Sequence, residues 1–288
     1  MQSFTGHCAH SLDCDKWIER CHSCTYLNTY PAIDTDNSHL IYDTKKKIYD
    51  SCEKITVVAV SNWLKEKVEH SILQNHDIRC IYNGVDEKIF HNYNKQEVRK
   101  ELSLPYDKKI ILFCCDYGDA NPWKGGSYLG KVYEILKSRE DILFLCVGSP
   151  QKGYRHERFY DTGFIGDKNL LAKYYSAADL FLYPTIADSF PFVTLESMSC
   201  STPIISFNTG GIPEQISHMN TGYIAKQFDV DDLLNGVNTF MNDDELWKKA
   251  SILSRKTVES RFTIDICLKN YIDLYHEVIE SRRGYGLK

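Results

Sequence analysis

From residue 55 onward, short β-branched or apolar runs alternate with segments whose apolar positions recur every three to four residues. The short runs predict buried strands, and the periodic segments predict helices laid against them. Strands are predicted at 56–60, 78–82, 109–114, 142–147, 180–183 and 203–206. Between them, Leu64, Val68 and Ile72, then Leu129, Val132, Tyr133 and Leu136, then Leu170, Leu171, Tyr174 and Tyr175 mark helical faces able to cover a sheet. Strands alternating with helices define an α/β fold, doubly wound around a parallel sheet. Past residue 228 the strand pattern stops and helices follow. The last is predicted from about Thr263 to Ser281, with Leu268, Tyr271, Ile272, Tyr275 and Val278 on one stripe. Residues 25–54 are polar and broken, with a short helix through Lys45 to Cys52.

A chain of 288 residues suits two lobes. The Asn83-Gly84 turn signal marks the change of lobe. The expected division is 1–82 for an amino-terminal lobe, 83–262 for a second lobe, and 263–288 for a carboxyl-terminal helix packing back across both. With 43% hydrophobic and 25% charged residues, the chain has the composition of a folded soluble protein. A net charge of −5 offers no bulk attraction to nucleic acid or anionic lipid, so a phosphate-rich ligand needs a local basic group. The opening residues show no basic-then-apolar leader, and no apolar run approaches the length that spans a bilayer. A cytoplasmic protein is expected, with peripheral contact at the inner face of a membrane left open.

Four of the 11 cysteines, Cys8, Cys14, Cys21 and Cys24, crowd the first two dozen residues. Ending in Cys-x2-Cys, they could close a structural zinc site, although gaps of five and six residues are not a finger spacing. A disulfide pair or four free thiols are the other readings.

The stretch from Asp179 to Pro203 carries the most chemistry. It reads as a strand, a polar loop and a helix started by Pro191 at an early helical position. The loop thus lies at the carboxyl end of a parallel strand, where open α/β sheets bind ligands. Backbone N–H groups around Ser189, Phe190 and Phe192 at a helix start suit phosphate oxygens. Glu196 stands one to two turns into that helix, able to accept from sugar hydroxyls, and Asp188 faces the same crevice from the loop. Taken alone, such an acid pair is more often a loop aspartate and an ordinary helix glutamate.

Asp188-x7-Glu196, followed by Gly210-Gly211-Ile-Pro-Glu214, resembles the signature of the retaining nucleotide-sugar glycosyltransferases of family 4, which have the GT-B fold. Further matches occur in order: Ser61 with Trp63-Leu64, Asn83-Gly-Val-Asp86 with Phe90, Pro122-Trp-Lys124-Gly125, and Phe164-Ile-Gly-Asp167 followed by Tyr174-Tyr175-Ser-Ala-Ala-Asp. The resemblance implies two Rossmann-like lobes, the second binding a nucleotide-diphospho-sugar donor. It implies that Lys124 neutralises the diphosphate, Glu196 binds the ribose, Asp188 faces the transferred sugar, and backbone groups near Ile165 hold the base. Gly211 and Glu214 would line the same crevice. The implied reaction transfers the sugar, with retention, to a polysaccharide or glycolipid acceptor, with no metal required for catalysis and no nucleic-acid partner.

The chain departs from the family pattern in three places. Asp188 is one methylene shorter than the usual glutamate, and residues 115–121 supply no counterpart of a strand-end arginine. Only about 80 residues precede the linker, so the amino-terminal lobe is expected to lack its first part, through either an internal start or a true fragment. His7, in the segment resembling the acceptor side, is the acceptor-site candidate. A non-catalytic nucleotide-sugar-binding remnant and a sugar-nucleotide epimerase of GT-B type are the rival readings. The Asp-x-Asp triplets at Asp13, Asp34 and Asp229 do not directly follow strands and are read as chance, and no dinucleotide or P-loop fingerprint appears.

Overall fold

Continuous apolar runs become strands here because both faces of the sheet they form are covered. The computed structural model describes residues 1–29, 31–114, 122–148, 153–156 and 158–283. The chain divides into two units, one made of residues 1–82 together with the chain from Asn270 onward, the other of Asn83–Lys269.

In the first unit, α1 (Ser38–Asp50) precedes β1 (Thr56–Ala59), α2 (Asn62–Glu69) and β2 (Asp77–Cys80). The two strands pair in parallel, Thr56 opposite Asp77. Ser61 starts α2 by accepting from the Leu64 amide at 3.2 Å. The core gathers Phe4, Trp17, Tyr42, Val68, Ile72 and Leu73. Tyr42 satisfies its buried hydroxyl on the carbonyls of Trp17 and Glu19, at 3.1 and 2.9 Å.

The second unit runs α3 (Lys95–Glu101), β3 (Lys109–Cys114), a 3₁₀ turn (Pro122–Lys124), α4 (Gly126–Leu136), β4 (Ile142–Val147), β5 (Tyr154–His156), β6 (Phe159–Asp161), α5 (Lys168–Ala177), β7 (Leu180–Tyr183), α6 (Phe192–Ser199), β8 (Ile204–Phe207), α7 (Ile212–Gln215), β9 (Gly222–Ala225), α8 (Val230–Asn242) and α9 (Asp244–Arg261). Helix α10 (Ile264–Arg283) ends the described chain. The sheet order is β5-β6-β4-β3-β7-β8-β9, parallel throughout except for the β5–β6 pair.

Without the β5 edge, the chain winds outward from β3 first through β4 and β6, then through β7, β8 and β9. This is the doubly wound order 3-2-1-4-5-6, and its direction reverses between β3 and β7. One sheet face, with Ile111, Phe113, Phe144, Leu182 and Phe207, packs on Val132 and Leu136 of α4 and Val237 and Phe240 of α8. On the other face, Phe181 meets the Tyr175 ring of α5 at 5.5 Å. Helices on both faces account for the uninterrupted apolar character of β3, β4 and β7. Together these features are a doubly wound α/β architecture.

Three sequence expectations change. Strands β6 and β9, absent from the sequence pattern, extend the sheet at both sides. Pro191 is the residue before α6, at φ −67° and ψ 142°, rather than inside its first turn. On α10 the inward positions are Tyr271, Leu274 and Val278, whereas Leu268, Ile272 and Tyr275 are exposed. Two adjacent apolar stripes run along that helix, and periodicity alone does not say which one is covered. No helix of the described residues is long and apolar enough to cross a membrane.

Candidate functional site

The site is built where the sheet reverses direction. Lys124 follows β3 and Asp188 follows β7, so the two strands that flank the reversal each deliver one charged side chain. Residues 184–191 grip the Trp123-Lys124-Gly125 turn. The Trp123 carbonyl accepts from the Thr185 hydroxyl and the Ile186 amide, both at 2.8 Å. Gly125 adopts φ +75°, and a Cβ there would stand 1.9 Å from the Pro184 carbonyl oxygen. Only glycine allows the two loops to approach so closely. Gly210 does the same on the other side, at φ +55° with a built Cβ 1.7 Å from the Asp188 carbonyl oxygen.

Within this frame, Lys124 Nζ donates to Asp188 Oδ2 at 3.1 Å and to the Tyr183 hydroxyl at 3.0 Å. Tyr183 in turn donates to the same carboxylate oxygen at 2.9 Å. The other oxygen, Oδ1, accepts from the Phe190 amide at 3.2 Å. That amide, expected to await a phosphate, is therefore spent on Asp188. Burial, then the neighbouring Asp188 charge, raises the Tyr183 phenol well above its usual range, so it stays a donor. Side-chain exposures of 32% for Lys124 and 18% for Asp188 leave the ammonium reachable and the carboxylate largely covered. An ammonium carries three N–H groups, and among the described residues Asp188 and Tyr183 take two of them.

Glu196 lies on α6, half-buried, with Oε2 accepting from the Tyr175 hydroxyl at 3.3 Å. Burial pushes its carboxyl up from the usual range, with the Tyr175 hydrogen bond and Lys168 pulling the other way. The Gly211 turn caps α7. Gln215 of that helix ties it to the start of α6, its amide donating to the Pro191 carbonyl at 3.0 Å and accepting from Thr194 at 2.7 Å. Ile165 stands half-buried in the loop that leaves β6, at the same carboxyl edge of the sheet. Lys124, Asp188, Ser189, Phe190, Glu196, Gly211 and Ile165 thus all belong to loops or helices leaving that edge. Tyr175 and Tyr183 were not singled out as site residues, because each sits inside an apolar run that reads as core. Residues 115–121, which supply no strand-end arginine, lie outside the described residues.

His7 and the cysteine group belong to the first unit. His7 is 4% exposed, its Nδ1 is 3.1 Å from the Pro31 carbonyl and its Nε2 is 3.1 Å from Cys24 Sγ. It is thus an inward-facing side chain. Cys8, Cys14, Cys21 and Cys24 line one small cavity with it and are free thiols. The Gly6 amide donates to Cys21 Sγ at 3.1 Å. Burial pushes the Cys21 thiol up to about 11. Among the described residues, no three His, Cys, Asp or Glu side chains are grouped as a metal ion requires.

Residues 94–257 match the family described as Glycosyl transferases group 1. The match takes in Lys124, Asp188, Glu196 and Gly211, and the chain belongs to that family. It is similar to N-acetyl-alpha-D-glucosaminyl L-malate synthase of Bacillus anthracis, 25% identical over 235 residues that make up 79% of this chain and 61% of the relative. The fold is similar to that of sucrose-phosphate synthase from Thermosynechococcus elongatus, with a TM-score of 0.73 at 21% identity, covering 86% of this chain and 65% of that one. It is also similar to Anabaena HepE in complex with UDP and glucose, with a TM-score of 0.67 at 17% identity, covering 82% and 67%. The chain thus spans 61% of the length of the first of these and 65% of the second.

Proposed function

We propose that this chain binds a nucleotide-diphospho-sugar and transfers the sugar, with retention of configuration as in family 4, to a polysaccharide or glycolipid acceptor. The observation that carries the reading is the Lys124 ammonium, partly exposed and fixed 3.1 Å from Asp188 at the reversal of the sheet. In the transfer, the bond from the sugar C1 to the diphosphate oxygen breaks and its electron pair stays on the phosphate. The acceptor hydroxyl oxygen bonds to C1 on the face that the diphosphate vacates, and its proton passes to the departing phosphate oxygen. Lys124 stabilises the charge that grows on the leaving diphosphate, from a loop already held in place. Asp188 orients the sugar, Glu196 accepts from the ribose, Gly211 and Glu214 line the crevice, and the backbone near Ile165 holds the base. The UDP held by Anabaena HepE makes UDP the first donor nucleotide to test.

The test is calorimetric titration of the folded chain with UDP, GDP and ADP, with Lys124→Ala as the control. Saturable binding of one nucleotide, weakened in the variant, is the expected result. A folded chain that binds none of the three overturns the reading.

A further inference from the structure

Glu196 is a flexible acid asked to hold a fixed position, and the structure shows what restrains it. Among the described residues, Tyr175 is the one side chain that donates to its carboxylate, at 3.3 Å. Tyr175 is itself immobilised, being fully buried. Its ring packs edge-on against Phe181 at 5.5 Å and Phe90 at 6.3 Å. Its carbonyl accepts from the Thr202 hydroxyl at 2.7 Å. The hydroxyl also lies 3.8 Å from Cys114 Sγ, at the end of β3. The phenol thus stands between α5 and α6 with its oxygen aimed at the acid.

A glutamate side chain gives up rotamer freedom when it is ordered, which costs free energy. A rigid donor already in contact bears part of that cost before any ligand arrives. The phenol takes one lone pair of Oε2, and among the described residues Oε1 and the remaining lone pair stay open, which is the acceptor capacity needed for two neighbouring hydroxyls. Burial keeps the phenol protonated, so this donor does not switch off in the working pH range.

We infer that Tyr175 is a positioning residue for the donor nucleotide, holding the Glu196 carboxylate in the orientation that accepts from the ribose hydroxyls. The inference rests on the reading of Glu196 as the ribose acceptor, and the experiment separates the two. Calorimetric affinities of the full chain are measured for UDP, GDP and ADP and for their 2′-deoxy and 3′-deoxy counterparts, in the unaltered protein, Tyr175→Phe, Glu196→Ala and Tyr175→4-aminophenylalanine. The unaltered protein should prefer a ribonucleotide over a deoxy counterpart by about tenfold, the worth of one hydrogen bond to a charged group. Glu196→Ala should abolish that preference. Tyr175→Phe, which keeps the packed ring, should shrink it at least threefold while leaving the affinity for the deoxy nucleotide nearly unchanged. The 4-amino variant, which restores a donor on the same ring, should recover it.

Equal weakening of ribo and deoxy ligands in Tyr175→Phe would mean a merely structural role and overturn the inference. So would an undiminished preference in that variant, or a preference lost in the 4-amino variant; if Tyr175→Phe does not fold, the 4-amino chain decides alone. A preference that survives Glu196→Ala, or that the unaltered protein never shows, overturns the reading of Glu196 itself. Failure of all three nucleotides to bind the folded chain removes both.

Discussion

Lys124 and Asp188, 64 residues apart in sequence, meet at 3.1 Å because one follows β3 and the other follows β7 across the reversal of the sheet. The Tyr183 hydroxyl closes the triangle by accepting from one and donating to the other. On the proposed reading, replacing Lys124 with alanine removes a charged donor to the diphosphate. Binding of the preferred nucleoside diphosphate should weaken about 10- to 100-fold, in line with a hydrogen bond from a charged group. Isothermal titration checks this, and an unchanged Kd would remove Lys124 from the site.

The loop carrying Lys124 is pinned by a missing side chain. At Gly125, alanine faces both a left-handed backbone angle and the Pro184 carbonyl at 1.9 Å. The angle alone costs about 1–2 kcal/mol. Gly125→Ala should lower stability by about that much or more, and should weaken nucleotide binding roughly tenfold by displacing Lys124. Thermal unfolding and titration of the same sample test the two effects together. An unchanged melting temperature with an unchanged Kd would show that the close approach is dispensable.

Asp179 is a structural acid. Its carboxylate accepts from Lys95 at 2.9 Å, Arg99 at 2.7 Å and the Ile110 amide at 2.6 Å. Burial on its own would raise its pKa, but Lys95 and Arg99 outweigh that and hold it below the usual range. Asp179→Ala leaves the buried Arg99 and the half-buried Lys95 without a counter-charge and should cost about 3–5 kcal/mol. Because the folded pKa is depressed, the stability from this group is fully present above the unfolded value of about 3.9 and is lost as pH falls through the lower folded value. Denaturation of Asp179→Asn against the unaltered chain should show a constant gap from neutral pH down to about pH 4 and a closing gap below. A gap that persists unchanged at pH 2 would contradict this.

Glu196 has the opposite sign. Burial raises its folded pKa, so the unfolded chain ionises first and the acid costs stability above the folded pKa, with no cost below the unfolded value near 4.3. Glu196→Gln should therefore melt at a higher temperature than the unaltered chain at neutral pH, and the advantage should vanish near pH 4. The same variant should bind nucleotide more weakly. A melting temperature lower at neutral pH would show that the carboxylate stabilises the fold instead of straining it.

Much of this was legible in the sequence where the chemistry is local. Strands β3, β4 and β7 appear with their bounds because they are unbroken apolar runs between polar ends. The short strand Phe159–Asp161 and the glycine-led strand Gly222–Ala225 were missed, since each is too brief to show a period. Lys124 and Asp188, past strand ends, and Glu196, on the helix that follows, stand out through the motif that they share, since each alone reads as an ordinary charge. Tyr175 and Tyr183 did not, because the hydroxyl that each turns toward an acid is hidden in a run whose other residues make the core. The spending of the Phe190 amide on Asp188 depends on loop geometry that no spacing rule encodes.

The register between β3 and β7 pairs Ile111 with Leu180 and Leu112 with Phe181, against six such pairs between β3 and β4. The proposed anion site sits directly over this short seam and takes one residue from each side of it. A bound diphosphate would act as a staple across the join, favouring only chains in which both halves of the sheet have already met. Ligand occupancy would then be felt furthest from the phosphate as slower hydrogen exchange along both strands at once, and the donor would double as a report on whether the two halves of the sheet are closed.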